Sequence, residues 1–385
     1  MNVPPDTAAT FLNEERAALE RFLPGLDEQL AAMPLSELES KQSPAIERFR
    51  AAGGCGLIIP TEHHGGGADL LDTVRVQRAI GSRAPSLAIA TTMHHFSAAS
   101  LVVMSEQGEG FEWMLLQAIA DGRKLLASGF GEGVSGQGMF APSMRARRAN
   151  GQWLVSGAKK PCSLAHSMDL LTASVAIDDD TAEAAGFAVA LVPSEAPGLE
   201  VQPFWEADVL GGAENEAVIL TDVPVDDELV IPFGDPKDAL QDHVQAAGFV
   251  WFEALMSASY IGMASALADR VLHADRWDTS QTVAPIIELE AAFASVEGLA
   301  REMAIGSADP RMLVRSLACR YAAQEAINRA VASSVEQLAG VAFMREHEVG
   351  YFAGASRALA LHPPGRLRTT TALQAAFTGE PLVIG

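Results

Sequence analysis

Apolar residues recur every three or four positions along the first third of the chain. Residues 7–33 and 69–82 show this spacing, which predicts amphipathic helices. Residues 85–107 are apolar on almost every side, so this segment is expected to form a long buried helix. The glycine-dense segment 54–69 carries Pro60 and predicts a loop between the first helices and the next.

The pattern changes near Leu125 and changes back near residue 242. Between about 125 and 235, short apolar or alternating runs are bounded by Gly, Asp, Asn and Pro, as is typical of strands joined by turns. The Asn150–Gly151 pair is a strong signal for a hairpin turn. Helical spacing then returns, and its short breaks suit an antiparallel bundle. After the helix that starts near 242, three further segments are predicted around Pro285–Met303, Asp309–Leu338 and Val349–Leu361.

This order predicts a mostly α-helical protein with a small central β domain. We expect an N-terminal helical domain over residues 1–124. A barrel-like or sandwich-like β domain follows over 125–235, and a C-terminal bundle of the four-helix type covers 236–385.

Composition narrows the classes of function. The chain is 49% hydrophobic and 20% charged, as in globular proteins, and its formal net charge is −22. That charge disfavours nucleic acid and anionic membranes as general partners. No run of 18 apolar residues and no secretion signal is apparent, so we expect a cytoplasmic protein without membrane insertion. The distant Cys55, Cys162 and Cys319 argue against disulfides and against a metal site.

Five segments, in the same order along the chain, resemble motifs of one family of flavoenzymes. They are the loop at 56–72, the glycine-rich segment 125–138, the hairpin 151–171, the exit segment 222–231 and the helical segment 336–343. Together they are similar to the acyl-CoA dehydrogenase superfamily over nearly the whole chain. The resemblance implies an FAD cofactor, an acyl-CoA or acyl-carrier-protein substrate, a homodimer or homotetramer, and an electron-transfer partner.

The resemblance also implies residues that hold the flavin. Ser163 falls where the family places a threonine hydroxyl near flavin N5. Phe130, Gly131 and Ser135 fall in the loop that holds the pyrimidine edge and the phosphates, where fixed N–H donors stabilise a reduced flavin. Without a flavin, Ser163 would be one of several small residues at a tight hairpin.

A second group of residues is implied for the pyrophosphate of a cofactor bound to a neighbouring subunit. Arg276 matches the family's arginine there, and an arginine fork suits a diphosphate. Gln337 and Gly340 match the segment that completes this site. The alternatives are a solvated helix residue for Arg276 and a bundle surface position for Gln337.

The carboxylate that the family uses as a base is missing from its usual position. Gly365 or Arg366 stands where most members carry the glutamate of an E-G-T motif. A minority carry it on the first helix of the last bundle, where this chain has Phe252. Glu253 is the adjacent residue, about 100° away around a helix, and is one candidate base. His362 is the second candidate, because histidine can act as a base at neutral pH.

Three functions are compatible with these observations. The first is FAD-dependent α,β-dehydrogenation of an acyl thioester, which the retained Lys159 and the order of the motifs support. The alternative is a flavin-dependent monooxygenase that takes reduced flavin from a partner reductase, uses O2 and needs no carboxylate base. The third is a non-catalytic relative that serves as a binding or assembly subunit.

Overall fold

The computed structural model describes residues 10–106, 110–132, 142–149, 151–178, 186–234, 236–274, 279–305 and 308–384. Its helices and strands confirm a mostly helical fold with a central sheet. The first third of the described chain holds seven α-helices. Helix α5 begins after Asp69, whose carboxylate caps the helix by accepting a hydrogen bond from the Asp72 N–H. The seven are α1 (Asn13–Phe22), α2 (Leu26–Ala31), α3 (Leu35–Leu38), α4 (Ala45–Ala51), α5 (Leu70–Arg83), α6 (Pro85–Glu106) and α7 (Glu112–Gly122).

The strands form one sheet between residues 126 and 234. They are β1 (Leu126–Gly129), β2 (Arg145–Ala149), β3 (Gln152–Cys162), β4 (Leu170–Asp178), β5 (Phe187–Pro193), β6 (Leu199–Gln202), β7 (Glu216–Val225) and β8 (Val230–Gly234). The order is β6-β7-β3-β2-β4-β5-β8, and β1 also pairs with β4. The β1–β4 and β2–β4 pairs are parallel, whereas the other described pairs are antiparallel.

The third part of the chain is helical. Its helices are α8 (His243–His273), α9 (Thr279–Ile305), α10 (Pro310–Arg345), α11 (His347–Ala355) and α12 (Arg366–Phe377). A non-helical residue, Ala339, kinks α10. The segment predicted as one helix over Val349–Leu361 divides into the end of α11 and a 3₁₀ helix, Ser356–Leu361.

Helix α8 runs through the centre of the helical core. Two glycines allow α5 and α8 to approach closely. A Cβ on Gly262 would lie 2.3 Å from the carbonyl oxygen of Arg78, and a Cβ on Gly81 would lie 2.3 Å from that of Ser259. A larger residue at either position would therefore push the two helices apart.

Within the described ranges, two helices, α6 and α8, are long and apolar enough to span a bilayer by length and composition, which was not predicted from the sequence. Most of each helix is buried inside the protein, 67% of the relevant window for α6 and 94% for α8. Both therefore pack as core helices of the fold.

Candidate active site

A cavity of about 540 Å³ lies where the sheet, α6, α8 and the segment after α11 meet. Its lining is mostly apolar. Three aromatic rings line the cavity, Phe96 from α6, Phe252 from α8 and Phe130 from the segment after β1. The ring centroid of Phe96 lies 5.3 Å from that of Phe252 and 6.0 Å from that of Phe130. The volume is in the range of small-molecule and cofactor sites.

The sheet side of the cavity presents a hydroxyl whose direction is fixed. Ser163 Oγ donates a hydrogen bond to Asn215 Oδ1 at 2.6 Å. Asn215 Nδ2 in turn donates to the carbonyl of Leu210 at 3.1 Å, which sets the orientation of the amide. Because the Ser163 proton is used in this way, its lone pairs can accept a hydrogen bond from a group in the cavity.

A buried ion pair supports the same wall. Lys159 Nζ lies 2.7 Å from Glu132 Oε1 and donates to Ser174 Oγ at 2.9 Å. The Glu132 carboxylate also accepts from the backbone N–H groups of Ser143 and Met144 and from the Ser143 hydroxyl. Burial raises the pKa of Glu132, but these donors outweigh it and hold the pKa at about 2. The carboxylate is therefore ionised at neutral pH.

The opposite side of the cavity carries an imidazole held by a tyrosine. Tyr260 is fully buried, and its hydroxyl lies 2.7 Å from His362 Nε2. Burial raises the pKa of the tyrosine, so it stays protonated and needs an acceptor. Burial and the Arg320 guanidinium lower the pKa of His362 to about 3. We therefore assign a neutral imidazole that accepts from Tyr260 at Nε2 and carries its own proton on Nδ1.

Arg320 fixes the segment that presents His362. Its guanidinium donates to the carbonyl oxygens of Leu359, His362 and Pro363 at 3.2, 2.5 and 3.1 Å. It also contacts both oxygens of Glu253, at 2.9 and 3.1 Å, and both side chains are buried. Burial raises the pKa of Glu253 to about 7, while Arg320 acts in the opposite direction.

Comparison with known proteins identifies the family of this chain. No family model matches the chain. Isobutylamine N-hydroxylase of Streptomyces viridifaciens is 41% identical over 377 residues, which cover 97% of this chain and 99% of the relative. The acyl-CoA dehydrogenase fadE12 of Mycobacterium tuberculosis (strain CDC 1551 / Oshkosh) is 24% identical over 94% of this chain and 95% of that protein. The chain belongs to the acyl-CoA dehydrogenase-like flavoprotein superfamily.

Solved structures share the fold of the superfamily. A nitrososynthase from Micromonospora carbonacea var. africana superposes with a TM-score of 0.82 at 20% identity, covering 97% of this chain and 100% of that chain. KijD3, in a complex with FMN and a dTDP-amino sugar, superposes with a TM-score of 0.80 at 18% identity, covering 97% of both chains. Membership of this superfamily makes the protein a flavin-dependent oxidoreductase.

The cavity suits the flat aromatic ring system of the superfamily's flavin. Phe130 and Pro161 provide apolar contact surface, and Ser163 adds a hydroxyl whose lone pairs are available. Such a slot, apolar on its faces with polar groups at the edge, matches the isoalloxazine chemistry. The residues present therefore fit the group.

Four of the predicted site residues meet at this cavity, namely Phe130, Gly131, Ser163 and His362. Glu253 does not line it. Its neighbour Phe252 does, because successive residues of α8 point about 100° apart and the Glu253 carboxylate is directed to Arg320 instead. Glu253 is therefore placed as a buried ion-pair partner and not as a base in contact with bound molecules.

The other predicted cofactor residues lie elsewhere or outside the described residues. Gln337 is buried on α10, donates to Ser333 Oγ at 3.0 Å and does not line the cavity. Gly340 is exposed just beyond the α10 kink. A role for both at a neighbouring subunit's cofactor stays a prediction. Ser135 and Arg276 lie outside the described residues.

Three residues at or next to the cavity carry no signal in the sequence that predicts a role there. Gln245 lines the cavity, and Tyr260 and Arg320 contact His362. Tyr260 and Arg320 act through contacts to a segment 102 and 42 residues away along the chain. Gln245 follows Asp242 by three residues, a spacing typical of a helix cap and therefore not suggestive of a binding role.

Proposed function

We propose that this protein is a flavin-dependent monooxygenase that hydroxylates the nitrogen of a small aliphatic amine. Its 41% identity to isobutylamine N-hydroxylase extends over 97% of this chain and 99% of the relative. The similarity of fold to a nitrososynthase and to KijD3, solved with an amino sugar, supports the same chemistry. We therefore favour the flavin-dependent monooxygenase over α,β-dehydrogenation of an acyl thioester.

The observation that supports the proposal most strongly is that no carboxylate among the described lining residues is available to act as a base. Phe252 faces the cavity at the helix position considered for a base, and Gly365 precedes α12 without lining it. Among the described lining residues, Glu132 is the single carboxylate, and it is engaged by Lys159. Removal of an α proton needs such a base, whereas oxygenation of an amine nitrogen does not.

The apolar lining favours the form of the amine that reacts. An ammonium ion would lose its hydration here, and Glu132, the one carboxylate among the described lining residues, is already paired with Lys159. The neutral amine is therefore the form that binds well. The neutral form also has the lone pair that attacks an electrophilic oxygen. We therefore expect the amine to release its proton to solvent on entry.

The residues of the chain act as fixed hydrogen-bonding groups around the reaction. Reduced flavin, when bound, supplies two electrons that activate O2, so that amine, O2 and reduced flavin yield hydroxylamine, water and oxidised flavin. Ser163, already oriented as an acceptor, would help to hold the flavin by accepting a hydrogen bond from an N–H group of its ring. His362, neutral and protonated on Nδ1, would donate a hydrogen bond to developing negative charge on oxygen.

We further propose that FAD or FMN serves as the flavin and that a separate reductase supplies it in reduced form. An assembly of two or four subunits is also proposed, because the superfamily resemblance implies it. A cytoplasmic location is proposed because the distant Cys55, Cys162 and Cys319 suit a reducing compartment.

The deciding experiment supplies reduced FMN or FAD from a generic reductase and NADH, with isobutylamine under ¹⁸O₂ and with catalase present. We expect a hydroxylamine that carries one ¹⁸O atom. In a parallel anaerobic assay, acyl-CoA thioesters should leave the absorbance of bound oxidised flavin unchanged. Flavin bleaching by a thioester, with no labelled hydroxylamine, would replace the proposal with dehydrogenation.

The role of His362 is tested through Tyr260. Replacing Tyr260→Phe leaves Nε2 free to take the ring proton, so the donor at Nδ1 is no longer fixed. We expect kcat for hydroxylamine formation to fall about 10–100-fold, the cost of one directed hydrogen bond. His362→Asn should cause a similar loss, and the double variant should lose little more. Additive losses would contradict this pairing.

A further inference from the structure

The side-chain amide of Gln245 faces the cavity without a hydrogen-bond partner in the described part of the chain. The residue lines the cavity and is only 7% exposed. Its backbone N–H donates to Asp242 Oδ1 at 3.0 Å, while neither amide group of the side chain is engaged. A carboxamide that lines a cavity and has no protein partner can both donate to and accept from a molecule bound there.

A structural role as a helix cap does not account for this amide. In a capping box, a glutamine at this position reaches back to the backbone N–H of the capping residue. Here the N–H of Asp242 instead donates to the carbonyl of Ala239 at 3.3 Å. The Gln245 side chain is therefore not used by the cap and is directed to the cavity.

A second polar group lies next to it. Ser100 of α6 lines the cavity, and its hydroxyl donates to the carbonyl of Phe96 at 3.2 Å, so its lone pairs can accept. A Cβ on Gly248 would lie 2.6 Å from Ser100 Oγ, which shows how closely the two helices approach there. Gln245 is three residues before Gly248 and therefore on the same face of α8.

We propose that Gln245 and Ser100 form a subsite for an uncharged hydroxyl or carboxamide carried by the substrate amine. The inference rests on the proposed amine hydroxylation and specifies its substrate class as amines with a second hydrogen-bonding group, amino alcohols in particular. Both side chains are neutral, so the group they bind is neutral too. A carboxylate or a second ammonium would lose its hydration there without gaining a counter-charge.

The test compares amines of equal size that differ by one exchange of methyl for hydroxyl. Isobutylamine is paired with 1-amino-2-propanol, and n-pentylamine with 4-amino-1-butanol. Binding to the flavin-loaded oxidised protein is measured by calorimetry, which requires no turnover. We expect one amino alcohol to bind at least about 10-fold more tightly than its alkyl partner, as one directed hydrogen bond provides.

Replacing Gln245→Leu should weaken binding of the amino alcohol far more than binding of the alkylamine and so remove this preference. Gln245→Met is a second variant of similar volume should the first fold poorly. Gln374→Leu, at an exposed glutamine of α12, is the matched control and should keep the wild-type preference.

Three results would overturn the subsite. The first is equal affinity of the wild type for both members of each pair. The second is a preference that survives in Gln245→Leu, and the third is a variant whose affinities for the amino alcohol and the alkylamine fall by the same factor. In each of these cases, labelled hydroxylamine from isobutylamine would show that the proposed function still stands. If no amine binds and none is hydroxylated, the proposed function and the subsite both fail.

Discussion

Ser163 and His362 face the cavity with their hydrogen-bonding roles already fixed by neighbouring side chains. Ser163 donates its hydroxyl hydrogen to Asn215 in a hydrogen bond, and the Tyr260 hydroxyl donates to the acceptor nitrogen Nε2 of His362. Each group is therefore left with one function toward bound molecules, acceptor for the serine and donor for the histidine. Such preorganisation avoids reorienting these groups during the reaction.

The Glu132–Lys159 pair gives a prediction with a defined pH dependence. The pKa of Glu132 is about 2 in the folded protein, below its ordinary value of 4.5. Its stabilising effect is therefore complete above about pH 5 and is lost as the pH falls toward 2. Glu132→Gln should lower the free energy of unfolding by about 3 kcal/mol at pH 7, because it leaves Lys159 buried without its partner.

The measurement is urea unfolding of wild type and variant at pH 7, 5, 4 and 3. The difference between them should shrink as the pH falls. Glu336→Gln, at an exposed position of α10, serves as the control and should behave as wild type. A difference that stays constant with pH would mean that Glu132 is not ionised in the fold.

Some of these residues could be predicted from the sequence, and others could not. Ser163 and His362 lie in segments with recognisable motifs or distinctive chemistry, so both were singled out and both lie at the cavity. The position of Glu253 depends on helix rotation, which a one-residue shift in alignment changes by 100°. Tyr260 has no local signal, because its partner His362 is 102 residues away.

Helices α6 and α8 pack against each other at the cavity, and both contribute lining residues. Phe96 meets Phe252, and four residues further along α6, Ser100 meets Gly248, four residues earlier in α8. The two helices are thus antiparallel at the cavity. Each step of four residues along one helix brings the next side chain of the same face to the cavity wall.

This packing predicts the effect of a methyl group at Gly248. In Gly248→Ala the new Cβ would displace Ser100 Oγ from its position and narrow the cavity. We expect kcat/KM for amine hydroxylation to fall about 10-fold or more, since misplaced binding groups weaken transition-state stabilisation. Steady-state kinetics with isobutylamine and with 1-amino-2-propanol measure it.

Gly298→Ala is the matched control. Gly298 is also inside a helix, α9, but a Cβ there would contact nothing within 4 Å. This variant should keep wild-type kinetics and gain about 0.5–1 kcal/mol in stability from helix propensity. Equal kinetic losses in both variants would point to a general effect of alanine and not to the Ser100 contact.

Elements with a strong apolar pattern could be predicted, whereas a strand without one could not. Helices α5, α6 and α8 match their predicted segments within a few residues. Strand β2 was not predicted, because all five of its residues are arginine or alanine without a clear apolar alternation. Its pairing with β3 and β4 holds it in the sheet, which is information that local sequence does not contain.

At the scale of the whole molecule, the net charge of −22 opposes the approach of an anionic cofactor. The repulsion between like charges falls as salt screens it, with a Debye length of about 10 Å at 0.1 M. The association rate of FMN with the flavin-free protein should therefore rise severalfold between about 20 and 200 mM NaCl.

Stopped-flow quenching of flavin fluorescence measures this rate. Riboflavin lacks the phosphate and is the control ligand, so its association rate should change little with salt. A rate for FMN that falls with salt would show that local cationic groups dominate over the net charge.

The helical seam between α6 and α8 also separates two proposed tasks, recognition of the amine and hydrogen bonding to flavin and oxygen. Ser163 belongs to the segment after β3 and His362 to the segment after α11, whereas Ser100, Gln245 and Gly248 belong to the seam. Libraries of variants confined to the seam can therefore be screened for activity on new amines without changing Ser163 or His362. Directed evolution of this scaffold should yield altered selectivity more readily than altered chemistry.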